Sequence, residues 1–152
     1  MSAPNESHGF SLVELAVTIL VLGLVMAFSV PAFQSLNQTN RLHGATENLA
    51  GNLRLVREKA IATGQAQTIH FTMNFPSGTN WDYHVHNGPV GKGWELPLGV
   101  TYNSVTINPK FQRTGLVTDA ANNPASGMVV LRNGRGERDT LTIAVSGLVL
   151  TQ

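Results

Sequence analysis

Between Phe10 and Phe33 the chain reads FSLVELAVTILVLGLVMAFSVPAF, apolar apart from Glu14 and a few hydroxyl residues. A helix rising about 1.5 Å per residue needs roughly 20 such residues to cross a hydrocarbon core about 30 Å thick, so this run is long enough to span a bilayer. Leu, Val, Ile and Ala occur on every face, which argues against a surface-lying amphipathic helix, whose apolar residues keep to one side. A secretory signal peptide fits poorly as well. Met1 to Gly9 contains no Lys or Arg, and the run exceeds the roughly 7–15 apolar residues of a signal-peptide core. Glu14 is the sharper constraint. A carboxylate inside such a helix costs about 2.5–3.5 kcal/mol on insertion scales measured for Asp, and such residues usually face a partner or a cavity.

With 152 residues, the length suggests one domain plus this appendage. The composition is 42% apolar and 12% charged, and much of the apolar share sits in the early run. The remainder is polar and rich in Gly and Asn, as expected of a small head attached to a membrane segment. A formal charge of +1 gives no global footprint for nucleic acid. The absence of cysteine excludes a disulfide framework, a thiolate zinc site and a Cys nucleophile.

From Gln34 to Thr63 the sequence turns polar but keeps helical periodicity. Leu42, Ala45, Leu49, Leu53, Val56 and Ala60 recur at steps of three and four and predict one apolar stripe. Gly64 stands where a C-terminal cap is expected. The charges from Arg54 to Lys59 scatter around the helix and read as a solvated face. Past Gly64 the period becomes two. Ile69, Phe71 and Met73 alternate with Thr68, His70 and Thr72, and further strands are expected over Tyr83 to His86, Val100 to Ile107, Met128 to Leu131 and Thr140 to Val145. Asn133-Gly134 signals a hairpin through a type I′ turn. The expected fold class is α+β: a long N-terminal helix, membrane-spanning in its first half, packed on a small antiparallel β-sheet head.

Candidate chemistry is sparse. His84 and His86 share a strand face and His70 can join them, but solvent-facing histidines need no ligand role, and no metal site is expected. Gly88 to Lys92 lacks the spacing of a phosphate loop and reads as a surface turn. Ser146 lacks a nucleophile-elbow context, so no catalytic residue, cofactor or enzymatic activity is expected. Arg132, Arg135 and Arg138 cluster around a hairpin. A solvated turn is the favoured reading there, with weak nucleic-acid contact as the alternative.

Gly9-Phe10-Ser11-Leu12-Val13-Glu14 resembles the cleavage and methylation motif of type IV pilins and type II secretion pseudopilins. The segment from Arg41 to Thr68, with NLRLVREKAIATGQAQT at its centre, is most similar to the GspH/FimT group of minor pseudopilins and minor pilins. Leu96-Pro97-Leu98-Gly99-Val100, Ile107 with Phe111 and Gly115, and the Val129 to Val145 hairpin ending at Gly147 resemble the same group. The resemblance implies a leader over residues 1–9, cut after Gly9 by a prepilin peptidase that methylates the new amine of Phe10. It implies a transmembrane and assembly helix over 10–33, bent at Pro31, an amphipathic continuation over 34–64 and a β-rich head over 65–152. Phe10 and Glu14 would then set subunit register, the Glu14 carboxylate pairing with a neighbour's N-terminal amine.

The implied partners are major and minor pseudopilins or pilins, the prepilin peptidase, an inner-membrane assembly platform and membrane lipid, with the head in the periplasm of a bacterium. The implied function is that of a minor pseudopilin in the tip or initiation complex of a type II secretion pseudopilus; the alternative is a minor pilin of a type IV pilus, including one that takes up DNA. Some minor pilins of the group bind DNA through a C-terminal Gly-Arg-x-Arg motif. Here Gly147 is followed by Leu148, and Gly134-Arg135-Gly136-Glu137 places an acid where the second Arg would stand, so nucleic acid is not an expected partner.

Overall fold

The computed structural model describes residues 10–72, 78–86 and 90–152. One helix, α1 (Leu12–Thr63), precedes nine strands. These are β1 (Gln67–His70), β2 (Tyr83–His86), β3 (Val90–Trp94), β4 (Val100–Val105), β5 (Lys110–Phe111), β6 (Val117–Thr118), β7 (Gly127–Asn133), β8 (Arg138–Ile143) and β9 (Val149–Thr151). The chain divides into two units, up to Asn37 and from Gln38 onward.

Among the described residues of the first unit the apolar side chains are exposed. Phe10 is 80% exposed, Leu20 64% and Phe28 73%. The helix is long and apolar enough to cross a membrane. Helical backbone continues through Pro31, whose side chain lies outside the described residues.

In the second unit the stripe read from the sequence is the spine of the core. Leu42, Ala45, Leu49, Leu53, Val56 and Ala60 are all buried, joined by Ala50. They meet two antiparallel sheets, one ordered β3-β2-β1-β5-β6 and the other β4-β7-β8-β9. The first sheet contributes Ile69, Tyr83, Val85, Phe111 and Val117, and the second Val100, Val129, Leu131, Leu141, Ile143 and Val149. Alternation along β8 is complete, with Asp139, Leu141 and Ile143 buried between more exposed neighbours. Burying one such Leu or Ile side chain stabilises by about 1.5–3 kcal/mol, so this common core ties α1 to both sheets. Gly64 ends the helix with φ of 67°, and its N–H donates to Ile61 O at 3.3 Å, a left-handed glycine satisfying one of the last helical carbonyls.

Two local expectations are corrected. The segment read as a surface turn instead enters edge strand β3 from Val90, with Gly91 against the Val85 carbonyl. Gly93 opposes His84 and leaves room for an indole: a Cβ there would lie 2.0 Å from the Trp81 ring. Glycine in an edge strand thus marks close packing as well as a bend. The β7–β8 hairpin forms at Asn133-Gly134, but through a three-residue loop. The Gly136 N–H donates to Asn133 O at 3.1 Å, the Asn133 N–H donates to Glu137 O at 3.1 Å, and the positive φ falls on Gly136 (83°). Asn133 is a turn-former through its side chain, its Oδ1 accepting from the N–H groups of Arg135 and Glu137, each at 3.0 Å. The same pair of backbone bonds closes the loops Gln112–Leu116, Asp119–Asn123 and Ala144–Leu148.

Candidate functional site

The N-terminus of α1 is built by Ser11. Its carbonyl accepts from the Leu15 N–H at 3.1 Å and its hydroxyl from the Val13 N–H at 3.3 Å, which makes it the N-cap and puts Glu14 at the third helical position. A carboxylate there is favoured by the unsatisfied N–H groups and dipole of its own helix. Beyond that, no cation among the described residues pairs with Glu14. Phe10 stands just before the helix with its ring exposed, and Gly9 lies outside the described residues. An apolar helix therefore carries one acid near its start, together with a large exposed aromatic side chain.

The three histidines do meet. His70 opposes His84 across β1 and β2, with rings stacked 5.5 Å apart. His86 lies edge-on, 5.5 Å from His70 and 6.5 Å from His84. Burial lowers the pKa of His70, helped by His86, and burial lowers that of His84, helped by His70 and His86. The rings pack against one another as aromatic groups. Among the described residues no group of three or more His, Cys, Asp or Glu is arranged to hold a metal ion.

Arg132 and Arg138 face each other across β7 and β8, and Arg135 occupies the turn between them. The acids nearby are engaged elsewhere. Glu137 accepts from Thr39 at 2.8 Å and from Asn133 at 2.6 Å, bonds that lower its pKa. Asp139 is buried and lies 2.9 Å from the imidazole of His43. The hairpin thus grips the helix with its carboxylates and presents arginines on its outer side.

Residues 4–30 match the prokaryotic N-terminal methylation motif. The structure is similar to that of the minor pseudopilin EpsH from the type 2 secretion system of Vibrio cholerae, with a TM-score of 0.52 and 13% identity over 74% of this chain and 96% of that one. It is also similar to the type IV minor pilin FimU of Pseudomonas aeruginosa, with a TM-score of 0.54 and 14% identity over 77% of this chain and 92% of that one. The fold is pilin-like. No curated protein sequence matches the chain.

In this pilin-like head one positioning residue escapes a reading by periodicity. Arg57, taken from the sequence as part of a solvated face, donates from Nε to Gly115 O at 3.1 Å and from Nη2 to Ser146 O at 3.3 Å. Its neighbour Arg54 donates to Val149 O at 3.0 Å. Two arginines of the helix thus satisfy carbonyls at three points of the β-rich half. A clue was present in the sequence, since Arg54 and Arg57 flank Leu53 and Val56 on the buried stripe, but their targets are fixed only by tertiary packing.

Proposed function

We propose that this chain is a minor pseudopilin of the GspH/FimT type, a structural subunit of the tip or initiation complex of a type II secretion pseudopilus. The observation that carries the reading is Glu14. It is an acid without a cationic partner among the described residues, set in the first turn of α1 within an otherwise apolar run that bears a methylation motif, and the helix leads into a pilin-like head. In lipid an uncompensated carboxylate is expensive, and a cation supplied by a second subunit removes that cost. Cleavage after Gly9 creates such a cation, the N-terminal amine of Phe10. One subunit's amine on its neighbour's Glu14 fixes the axial step between packed helices.

In this reading residues 1–9 are the leader, 10–33 the membrane and assembly helix, 34–64 its amphipathic continuation and 65–152 the head, held in the periplasm by a single pass through the inner membrane. The expected partners are other pseudopilins, the prepilin peptidase and the assembly platform. A minor pilin of a type IV pilus is the second reading, because the FimU structure is as similar as that of EpsH. Deleting the gene and comparing secreted proteins with twitching separates the two.

The assembly claim is tested at two residues. Mass spectrometry of the membrane form should find a methylated Phe10 at the N-terminus; a chain beginning at Met1 or near Val30 removes the proposal. Glu14→Ala should lower incorporation into the filament or its tip complex by at least about tenfold, since breaking a buried ion pair costs several kcal/mol. Unchanged incorporation would leave the register mechanism without support.

A further inference from the structure

The outer face of the β4-β7-β8-β9 sheet carries an arrangement that stability does not explain. Arg138 and Arg132 are direct cross-strand partners, and Thr101 stands on the other side of Arg132. Like charges placed directly opposite in a sheet destabilise it. Among the described residues no carboxylate pairs with Arg41, Arg132 or Arg138, and the one side-chain bond in the row is from Arg132 to the Thr101 hydroxyl at 3.4 Å. Arg135 follows in the hairpin turn, and Arg41, on the helix, lines a pocket with Gly134 of that turn. A pocket of about 110 Å³ between Arg41, Leu98 and Gly134 shares Gly99 and Gly134 with a second of about 550 Å³ beside Arg132 and Arg135. Three exposed arginines, Arg41, Arg132 and Arg135, thus line two adjoining depressions floored partly by glycine, and Arg138 stands beside them as the cross-strand partner of Arg132.

Two further observations select the anion. Leu98 sits on the turn between Pro97 and Val100 and is 89% exposed, while neither depression is lined by an aromatic side chain. Single-stranded nucleic acid is gripped by basic grooves with stacking aromatic rings. Arginines beside a protruding aliphatic residue suit the boundary between headgroups and acyl chains. The surface is also tethered close to lipid. Gln38, which lines the smaller pocket, follows Phe33, the last residue of the apolar run, by five positions, a covalent reach of at most about 18 Å.

We propose that Arg41, Arg132, Arg135 and Arg138, with Leu98, form a docking surface for the headgroups of anionic phospholipids, which rests the head on the bilayer before the subunit is incorporated. The surface lies wholly within the head. The inference rests on the reading that the apolar run is embedded in that bilayer. Each arginine at an anionic surface contributes roughly a fivefold gain in occupancy, and the contact weakens as salt rises.

Because the chain lacks cysteine, Gly134→Cys gives a single labelling site, and a Cβ at that position meets no atom within 4 Å. The full chain, labelled there with a fluorophore, is reconstituted into vesicles of phosphatidylcholine alone or mixed with phosphatidylglycerol, each with headgroup-nitroxide lipid as quencher. Quenching should rise when phosphatidylglycerol is present, fall again with added salt, and be weakened in the Arg132→Gln/Arg138→Gln variant, whose docking should drop about 25-fold. Tryptophan emission of the head checks that the variant is folded. Flotation with the vesicles reports the membrane anchor separately: a chain that does not float overturns the anchoring reading and the proposal with it. Equal quenching in both lipids, or no response to the arginine changes, overturns the docking surface alone. An oligonucleotide that alters the probe signal on phosphatidylcholine vesicles, with phosphatidylglycerol inert, assigns the arginines to nucleic acid instead.

Discussion

Two stretches of the same helix treat their leucines in opposite ways. Before Asn37, Leu15, Leu20, Leu22 and Leu24 are all more than half exposed, whereas Leu42, Leu49 and Leu53 are at most 2% exposed. The residue type is the same; the pattern around it differs. In the first stretch apolar residues occupy every face, so a head that covers one side would leave the others in water. In the second, polar residues confine the apolar surface to one stripe, and a pair of sheets is enough to bury it. The first stretch calls for an apolar medium, or other helices like itself, while the second needs only its own chain.

The contrast is broken most directly by removing one leucine from each stretch. Leu53→Ala should destabilise the head by about 2–5 kcal/mol, through lost transfer energy and the cavity left in the buried core. Leu20→Ala should leave the head's unfolding unchanged, because the side chain is 64% exposed and belongs to the other unit. Both tryptophans, Trp81 and Trp94, belong to the head, so their fluorescence during urea titration of the full chain in detergent reports that unit alone. Equal destabilisation by the two substitutions would mean that the stretches are not energetically separate.

Periodicity made the helix, its buried stripe, its glycine cap and strand β2 legible in the sequence. It failed where structure depends on contacts between distant residues. Strands β5, β6 and β9 are two or three residues long, too short for alternation to register, and they exist because Thr68 pairs with Lys110 and Leu141 with Thr151. Strand β3 contains two glycines and reads as a turn until Trp81 is seen to fill the space above Gly93. For the candidate site, the position of Glu14 and the grouping of three histidines could be read from spacing. The opposition of Arg132 and Arg138 depends on the register of the hairpin, which the type I′ expectation does not supply.

The turns offer a finer test within the head. Gly136 and Gly147 occupy the same position in two similar loops, with φ of 83° and 81°. A side chain at either is strained by about 1 kcal/mol or somewhat more. At Gly136 there is open space, but a Cβ at Gly147 would lie 2.1 Å from the Gly115 carbonyl oxygen and 2.5 Å from Arg57 Nε. Gly147→Ala should therefore cost about 2–4 kcal/mol, strain and overpacking together, against about 1 for Gly136→Ala. Urea midpoints of the two variants decide the matter. Similar values would show that the Arg57 contact between two loops contributes little to holding the helix on the sheets.

The smallest expected effect separates the two stretches by pH. The apolar run has no histidine, while the head buries His84 and half-buries His70 in a cluster that disfavours their charged forms, chiefly by desolvation and then by neighbouring imidazoles. In the unfolded chain both protonate near the ordinary value of 6.5; in the folded head they do so only at lower pH. Over the interval between, the unfolded state binds more protons, so stability falls as the solution is acidified. The contribution is complete above 6.5 and is lost as pH drops through the folded values. Asp119 and Glu137, whose pKa values are also lowered, act only below about 3.8 and 4.5, outside that range. The urea midpoint of the head should thus be lower at about pH 5.5 than at about pH 7.5, and His70→Gln/His84→Gln should flatten the dependence. A variant that kept the full pH dependence would move its origin away from the histidine cluster.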